Sequence, residues 1–201
     1  MSRSVDFYYD IGSPNCYMAN KALSPILERT GATVNYKICL LGGVFEATGN
    51  QPPWMAAGQV KPKMDFIMLE IKRFLKKHEL SKFAMTPHFP LNSLLCMRAA
   101  ISAEEQGRLG EYFTALETLI WEEGVKMDDP EIFASSLTEQ GFDGAALLTS
   151  TQDTNVKERL KGYTQDAVSR GIFGVPTFFV GNEMFFGKDQ LHRVEEELLK
   201  H

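Results

Sequence analysis

Cysteine is scarce in this chain: three in 201 residues, at positions 16, 39 and 96. The number is odd and the spacings are wide, so neither a disulfide framework nor a thiolate zinc pattern is encoded. That usage fits a reducing compartment and makes the cytoplasm the expected location. The four histidines (His78, His88, His192, His201) are scattered without metal-ligand spacing, and no metal is expected. Positive charge is also short, with 21 Lys and Arg against 26 Asp and Glu and a net charge of -5, which leaves no electrostatic footprint for nucleic acid. One basic cluster, Lys72, Arg73, Lys76 and Lys77, falls at helical spacing beside apolar residues and reads as a solvated helix face. Long apolar runs that span a membrane are missing. The N-terminus reaches Asp6 before any hydrophobic region forms, so a secretory signal is not expected. Internal repeats and low-complexity tracts are absent as well. What remains is a globular composition, 44% hydrophobic and 23% charged, long enough to bury a core in one domain or in one domain with an insertion.

The pattern along the chain has three parts. Residues 4–9 alternate Val5, Phe7 and Tyr9 against Asp6 and Tyr8, which predicts a strand. Ser13 is a preferred N-cap type and Pro14 a preferred first-turn residue, so a helix is expected over 14–30, with Gly31 as its stop. Residues 33–39 alternate again through Val34, Tyr36 and Ile38. Strand, helix, strand favours a right-handed parallel unit.

The middle reads as helical. Gly49-Asn50-Gln51-Pro52-Pro53 is a loop by its breakers. Met64, Ile67, Met68, Ile71, Phe74 and Leu75 recur at helical spacing over 61–78. A loop with Pro87 and Pro90 follows, and helices are expected near 92–107, 109–123, 129–140 and 153–170, with glycines at 107, 124, 141 and 171 as stops. The last part returns to strands. Residues 177–180 and 183–186 flank Gly181-Asn182, a hairpin signal, and a final helix begins near Lys188 and Asp189. The order βαβ, helices, ββα describes one α/β core interrupted by a helical insertion. A crevice between the two parts is the default ligand site.

Four segments carry a resemblance. They are 7–14 (Phe-Tyr-Tyr-Asp-Ile-Gly-Ser-Pro), 89–92 (Phe-Pro-Leu-Asn), 171–178 (Gly-Ile-Phe-Gly-Val-Pro-Thr-Phe) and 186–189 (Phe-Gly-Lys-Asp). In this order and at these separations the chain resembles, over essentially its full length, the 2-hydroxychromene-2-carboxylate isomerase family. That family is close to the kappa-class glutathione transferases, and both are relatives of the DsbA-like thioredoxin fold. The resemblance implies an α/β, thioredoxin-like fold with a helical domain inserted between the βαβ and ββα halves. Residues 1–40 and 165–201 would form the thioredoxin-like domain and 41–164 the inserted domain. It further implies glutathione as cofactor, a small aromatic 2-oxo or 2-hydroxy acid as substrate, and a homodimer. The implied reaction is the cis-trans conversion of 2-hydroxychromene-2-carboxylate to trans-o-hydroxybenzylidenepyruvate. A kappa-like transferase or peroxidase, a DsbA-like thiol oxidoreductase, and a non-catalytic glutathione or aromatic-acid binder are the alternatives.

Ser13-Pro14-Asn15-Cys16 stands where thioredoxin-fold redox proteins carry Cys-Pro-x-Cys, with serine in place of the outer, reactive thiol. A helix N-terminus offers unpaired N–H groups and about half a positive charge. A hydroxyl there can also donate to a thiolate, and even one pKa unit is about 1.4 kcal/mol. Ser13 is therefore the expected catalytic residue, holding a thiolate brought by glutathione beside Pro14 and Asn15; a plain helix cap is the other reading. Cys16 reads as a small buried hydrophobe or, in the oxidoreductase alternative, as the reactive thiol.

The remaining site expectations also follow the resemblance. Val175-Pro176 is expected as the cis-proline site whose preceding backbone pairs with the cysteinyl backbone of glutathione. Asp189 and Gln190 are expected at the γ-glutamyl end, where a carboxylate takes the ammonium and helix N–H groups take the carboxylate. Asn50 matches a tripeptide-contacting position. Lys61 or Lys63 would pair with the glycyl or substrate carboxylate, unless both are solvated surface lysines. Trp54, Met55, Phe45 and Met85 each read as core residues taken alone; together they are candidates to line an apolar pocket for a fused aromatic acid.

Overall fold

The computed structural model describes residues 3–58 and 60–200. The chain runs β1 (Ser4–Tyr9), α1 (Pro14–Thr30), β2 (Thr33–Ile38), then eight helices: α2 (Leu41–Thr48), α3 (Pro53–Ala57), α4 (Lys61–Lys77), α5 (Leu94–Glu105), α6 (Leu109–Trp121), α7 (Pro130–Glu139), α8 (Gly144–Ser150) and α9 (Thr154–Ser169). It closes with β3 (Thr177–Val180), β4 (Glu183–Phe186), a single 3-10 turn (Lys188–Gln190) and α10 (Leu191–Leu198). The four strands form one sheet in the order β2-β1-β3-β4. β2 lies parallel to β1 in register Phe7 to Tyr36, and β3 lies antiparallel to β1 in register Tyr8 to Thr177. Expected strands and helices therefore lie where the periodicity puts them, and this is the α/β, thioredoxin-like architecture. Among the described residues no helix is long and apolar enough to cross a membrane.

β1 is an inner strand, paired on one edge with β2 and on the other with β3, and its side chains are buried on both faces. Phe7 and Tyr9 are fully buried and Tyr8 nearly so. Tyr9 stacks on Phe113 of α6 at 4.2 Å and meets Phe7 edge-on at 5.3 Å. Burying one such ring contributes about 1.5–3 kcal/mol, so this cluster fastens the helical part directly onto the sheet.

Three helices are not legible from local pattern: α2, α3 and α8. α2 begins Leu41-Gly42-Gly43, with Leu40 at the N-cap and no local capping side chain. Its start is satisfied from elsewhere. The Leu40 N–H donates to Thr164 Oγ1 at 3.0 Å, and the Leu41 N–H to Asp10 Oδ2 at 2.7 Å. α3 has five residues and α8 seven, too few for helical periodicity to register. α8 does carry its own cap, with Asp143 accepting from the Ala146 N–H.

Candidate thiol-holding site

Ser13 occupies the N-cap of α1, with extended backbone and only 5% exposure, but its side chain makes no capping bond. The plain-cap reading is thus not what the geometry has. Among the described residues no side-chain bond holds the hydroxyl to the first turn of its own helix. Burial pushes the Cys16 thiol far above its usual range, while the Asp10 backbone and the Ser13 hydroxyl pull it back only in part. Cys16 is fully buried, so it is a protonated, unreactive thiol at neutral pH. Pro14 and Asn15 form the half-exposed first turn of α1.

The turn before Ser13 is held at every residue. The Asp10 main-chain oxygen accepts the Ser13 N–H at 3.1 Å. Asp10 Oδ1 accepts the Gly12 N–H at 2.8 Å, and Trp121 of α6 donates its indole N–H to the Ile11 carbonyl at 3.1 Å. Sequence reasoning missed both Asp10 and Trp121. A signal for Asp10 existed: an acidic residue at a strand end, two before a glycine, is an Asx-turn pattern. Trp121 carries no local signal.

The sheet sets the opposite wall. Because Tyr8 of β1 faces Thr177 of β3, the loop after β1 and the segment before β3 share one end of the sheet. The Val175-Pro176 bond is cis, and so is Phe89-Pro90. Among the described residues the Val175 N–H has no hydrogen-bond partner. Asn50 joins this wall, donating from Nδ2 to the Phe173 carbonyl at 2.7 Å while Oδ1 accepts the Gln51 N–H at 2.8 Å. Gly187 bonds the Pro176 carbonyl through its N–H at 2.8 Å, which sets the 188–190 turn beside Pro176.

Asp189 is not a free carboxylate. The Lys188 ammonium, buried under the Phe74 ring at 4.6 Å, lies 2.6 and 2.8 Å from its two oxygens. Asp189 lines an open groove of about 390 Å³ between α1, α4 and α10, which Ser13 does not line. Gln190 caps α10 by position without a side-chain bond. Lys61 and Lys63 stand exposed in the first turn of α4, with Lys61 paired to Asp65 at 2.7 Å; no described bond links either to Ser13 or Val175. The structure thus sets the Ser13-Pro14-Asn15 turn and the Val175-Pro176 segment at one end of the sheet, ties Asn50 to Phe173 two residues before Val175, and starts the turn of Asp189 and Gln190 from the Gly187 bond to Pro176.

The aromatic candidates differ from the core reading. Trp54, Met55 and Met85 are each two-fifths or more exposed, and Phe45 is half-buried. Trp54 meets Phe89 edge-on at 6.2 Å, and Phe89 lies 6.5 Å from Trp121. A row of rings therefore leads from solvent to the residue that holds Ile11.

Residues 4–199 match the family model described as DSBA-like thioredoxin domain. A 2-hydroxychromene-2-carboxylate isomerase of Pseudomonas putida is 29% identical over 196 residues, covering 96% of this chain and 93% of that protein. A glutathione S-transferase kappa 1 of Rattus norvegicus is 25% identical over 94% of this chain and 88% of its own length. Among solved structures, a selenomethionine 2-hydroxychromene-2-carboxylate isomerase superposes with a TM-score of 0.84 at 26% identity, covering 98% of this chain and 95% of that one.

Proposed function

The chain belongs to the DsbA-like thioredoxin domain family, and from that premise we propose that it is a glutathione-dependent isomerase of 2-hydroxychromene-2-carboxylate or a close aromatic analogue. The observation that carries this reading is a serine hydroxyl at a helix N-terminus, in the reactive-thiol position, not engaged by its own helix. The isomerase relative from Pseudomonas putida, matched over nearly the full length of both chains, supports the reaction class.

The residues present fit glutathione at two points. Among the described residues the Val175 N–H is unpaired, and it suits an added strand-like backbone. The Ser13 hydroxyl, with the N–H groups of the first turn of α1, suits a thiolate. Glutathione, if bound here, would supply a nucleophilic sulfur for reversible addition to a conjugated carbon, chemistry that permits cis-trans isomerisation without net oxidation. Ser13 holds the sulfur in its charged form at the helix start, with Pro14 and Asn15 bounding it. Val175 and Pro176 align the cysteinyl backbone, and Asn50 fixes the loop before them. Asp189 and Gln190 meet the γ-glutamyl end, Asp189 taking the amine and the N–H groups at the start of the final helix the carboxylate. Lys61 or Lys63 meets a carboxylate of the tripeptide or the substrate. The exposed ring of Trp54, with the half-buried ring of Phe89 edge-on to it, offers an apolar face to the aromatic acid.

The same reading assigns residues 1–40 and 165–201 to the thioredoxin-like domain and 41–164 to the inserted helical one. α9 runs across the second junction, so a helix rather than a linker ties the two parts. It places the protein in the cytoplasm, in keeping with three free, buried cysteines. It also makes the chain a homodimer, supported by the exposed Trp54, Met55, Phe66, Met68 and Leu69 on α3 and α4.

Mixing protein, substrate and glutathione and following the ultraviolet spectrum tests the reaction; no conversion, or full conversion without any thiol, overturns it. Ser13→Ala is expected to lose activity and keep the fold. The kappa relative favours a second reading, transfer of glutathione to an electrophile at the same serine; chloronitrobenzene and hydroperoxide substrates separate the two. The oxidoreductase reading needs Cys16 as nucleophile, and its burial weighs against that.

A further inference from the structure

We propose that Asp10 is a positioning residue for Ser13, and that Ser93 of the helical segment completes it. The inference rests on the reading of Ser13 as the group that holds a thiolate.

Asp10 is fully buried three residues before Ser13. Its Oδ1 accepts the Gly12 N–H at 2.8 Å; its Oδ2 accepts the Leu41 N–H at 2.7 Å and the Ser93 hydroxyl at 3.1 Å. Its main-chain oxygen accepts the Ser13 N–H. One residue therefore ties the Ser13 turn to the start of α2 and the start of α5. Two of its three side-chain partners are backbone N–H groups, obligate donors, and the third donates as placed, a set that suits a carboxylate rather than a carboxylic acid.

Ser93 stands at the N-cap of α5, where a serine usually accepts from its own helix. It makes no such bond. Asn92 Oδ1 takes the Leu94 N–H instead, at 3.1 Å, and the Ser93 hydroxyl goes to Asp10. Gly12 is seated against both: a Cβ there would lie 3.2 Å from Asp10 Oδ1, from Ser93 Cβ and from Ser93 Oγ. The turn that carries Ser13 is thus packed closely on Asp10 and Ser93, so that even a methyl at Gly12 would require its neighbours to give by a few tenths of an ångström.

The arrangement also sets local charge. Burial raises the Asp10 carboxyl, and the bonds from Leu41, Gly12 and Ser93 oppose it in favour of the charged form; among the described residues the thiols raised by its charge sit on three segments: Cys16 on α1, Cys39 after β2 and Cys96 on α5. In each, burial is the first cause raising the pKa and the Asp10 charge adds to it. A thiolate at position 13 is subject to the same field, and the Ser93 hydroxyl, by donating to Asp10, moderates it. Asp10 holds the turn; Ser93 limits what that buried charge costs the sulfur.

The test places a reporter thiol at the site by Ser13→Cys in a Cys16→Ala background, so that no disulfide forms, and measures its alkylation by iodoacetamide from pH 5 to 9. Only the thiolate reacts. Adding Ser93→Ala should slow alkylation at neutral pH by about threefold or more through a higher thiol pKa. Ser93→Thr, which keeps the hydroxyl, should restore the rate. Asp10→Asn should change it in the opposite direction. A merely loosened turn would expose the thiol and speed all variants together. An unchanged or faster rate in Ser93→Ala overturns the proposal, and that arm stands alone if Asp10→Asn does not fold. The reporter needs no glutathione: failure of the wild-type chain to bind glutathione by calorimetry removes the cofactor reading and leaves this result to be read by itself.

Discussion

The indole N–H of Trp121 donates to the carbonyl oxygen of Ile11 across 110 residues of sequence, at 3.1 Å and fully buried. The bond fixes the chain two residues before Ser13 from the end of α6. Trp121→Phe keeps most of the ring and removes the donor, leaving a buried carbonyl unpaired. Such a group costs about 1–3 kcal/mol. Urea unfolding should show a lower midpoint with an unchanged slope, and turnover should fall further than the small population unfolded accounts for. Equal midpoints for the two proteins would show that the bond contributes nothing.

The cysteines give a sharper test of the redox alternative. All three are buried and free. Burial is the main cause raising each thiol pKa, and the thiol rather than the thiolate is the unreactive form. Ellman's reagent should therefore label none in the native protein and three in urea, and insulin reduction should be absent. Labelling of a single native thiol, lost in Cys16→Ser, would revive the oxidoreductase reading.

Much of this was legible because the signals are local. β1 announces itself by alternation, α1 by Ser13-Pro14 and Gly31, and the β3-β4 hairpin by Gly181-Asn182. α2 was not legible because its first N–H groups are satisfied by Thr164 and Asp10, which lie 124 and 31 residues away in sequence. Leu-Gly-Gly on its own argues against a helix. The site divides in the same way. Ser13, Val175-Pro176 and Asn50 stand in motifs whose order marks them. Asp10, Ser93 and Trp121 act through bonds between segments, and no spacing in the sequence encodes those. The Lys188 to Asp189 pair is adjacent in sequence, yet only the fold buries Lys188 under Phe74 and so brings its ammonium onto the carboxylate.

Asn50 is exposed, and its one long-range bond goes to the Phe173 carbonyl, 2.7 Å away. Removing it should lower stability by no more than that one bond while freeing the loop that borders Val175, which glutathione binding must then order. A hydrogen bond of this kind is worth about 0.5–1.5 kcal/mol, so Asn50→Ala should weaken glutathione binding by roughly twofold to tenfold. Calorimetry with glutathione, alongside a melting temperature that falls by no more than a few degrees, checks it. A large drop in melting temperature with unchanged affinity would assign Asn50 to the fold instead.

Glu117 should make stability depend on pH. Its Oε1 accepts from the Tyr9 hydroxyl at 2.9 Å and from Asn20 at 2.8 Å. The Lys21 ammonium lies 3.3 Å from Oε2 without hydrogen-bond alignment, and among the described residues that oxygen has no hydrogen-bond partner. Burial pushes the carboxyl up to about 7 from 4.5, with Lys21 first among the groups opposing it. Between those values the folded protein holds a proton that the unfolded chain has released, so stability falls as pH rises. The contribution is fully present below about pH 4.5 and is lost as pH passes about 7, a swing on the order of 3 kcal/mol. Glu117→Gln keeps an acceptor for Tyr9 and Asn20 and cannot titrate, while Lys21 retains Glu122 at 3.6 Å. Urea midpoints measured from pH 4.5 to 8 should slope downward in the wild type and flatten in the variant, which should be at least as stable as the wild type at pH 8. A wild-type to variant difference that stays constant with pH would mean that Glu117 remains charged throughout and that its neighbours, Lys21 above all, fully offset its burial.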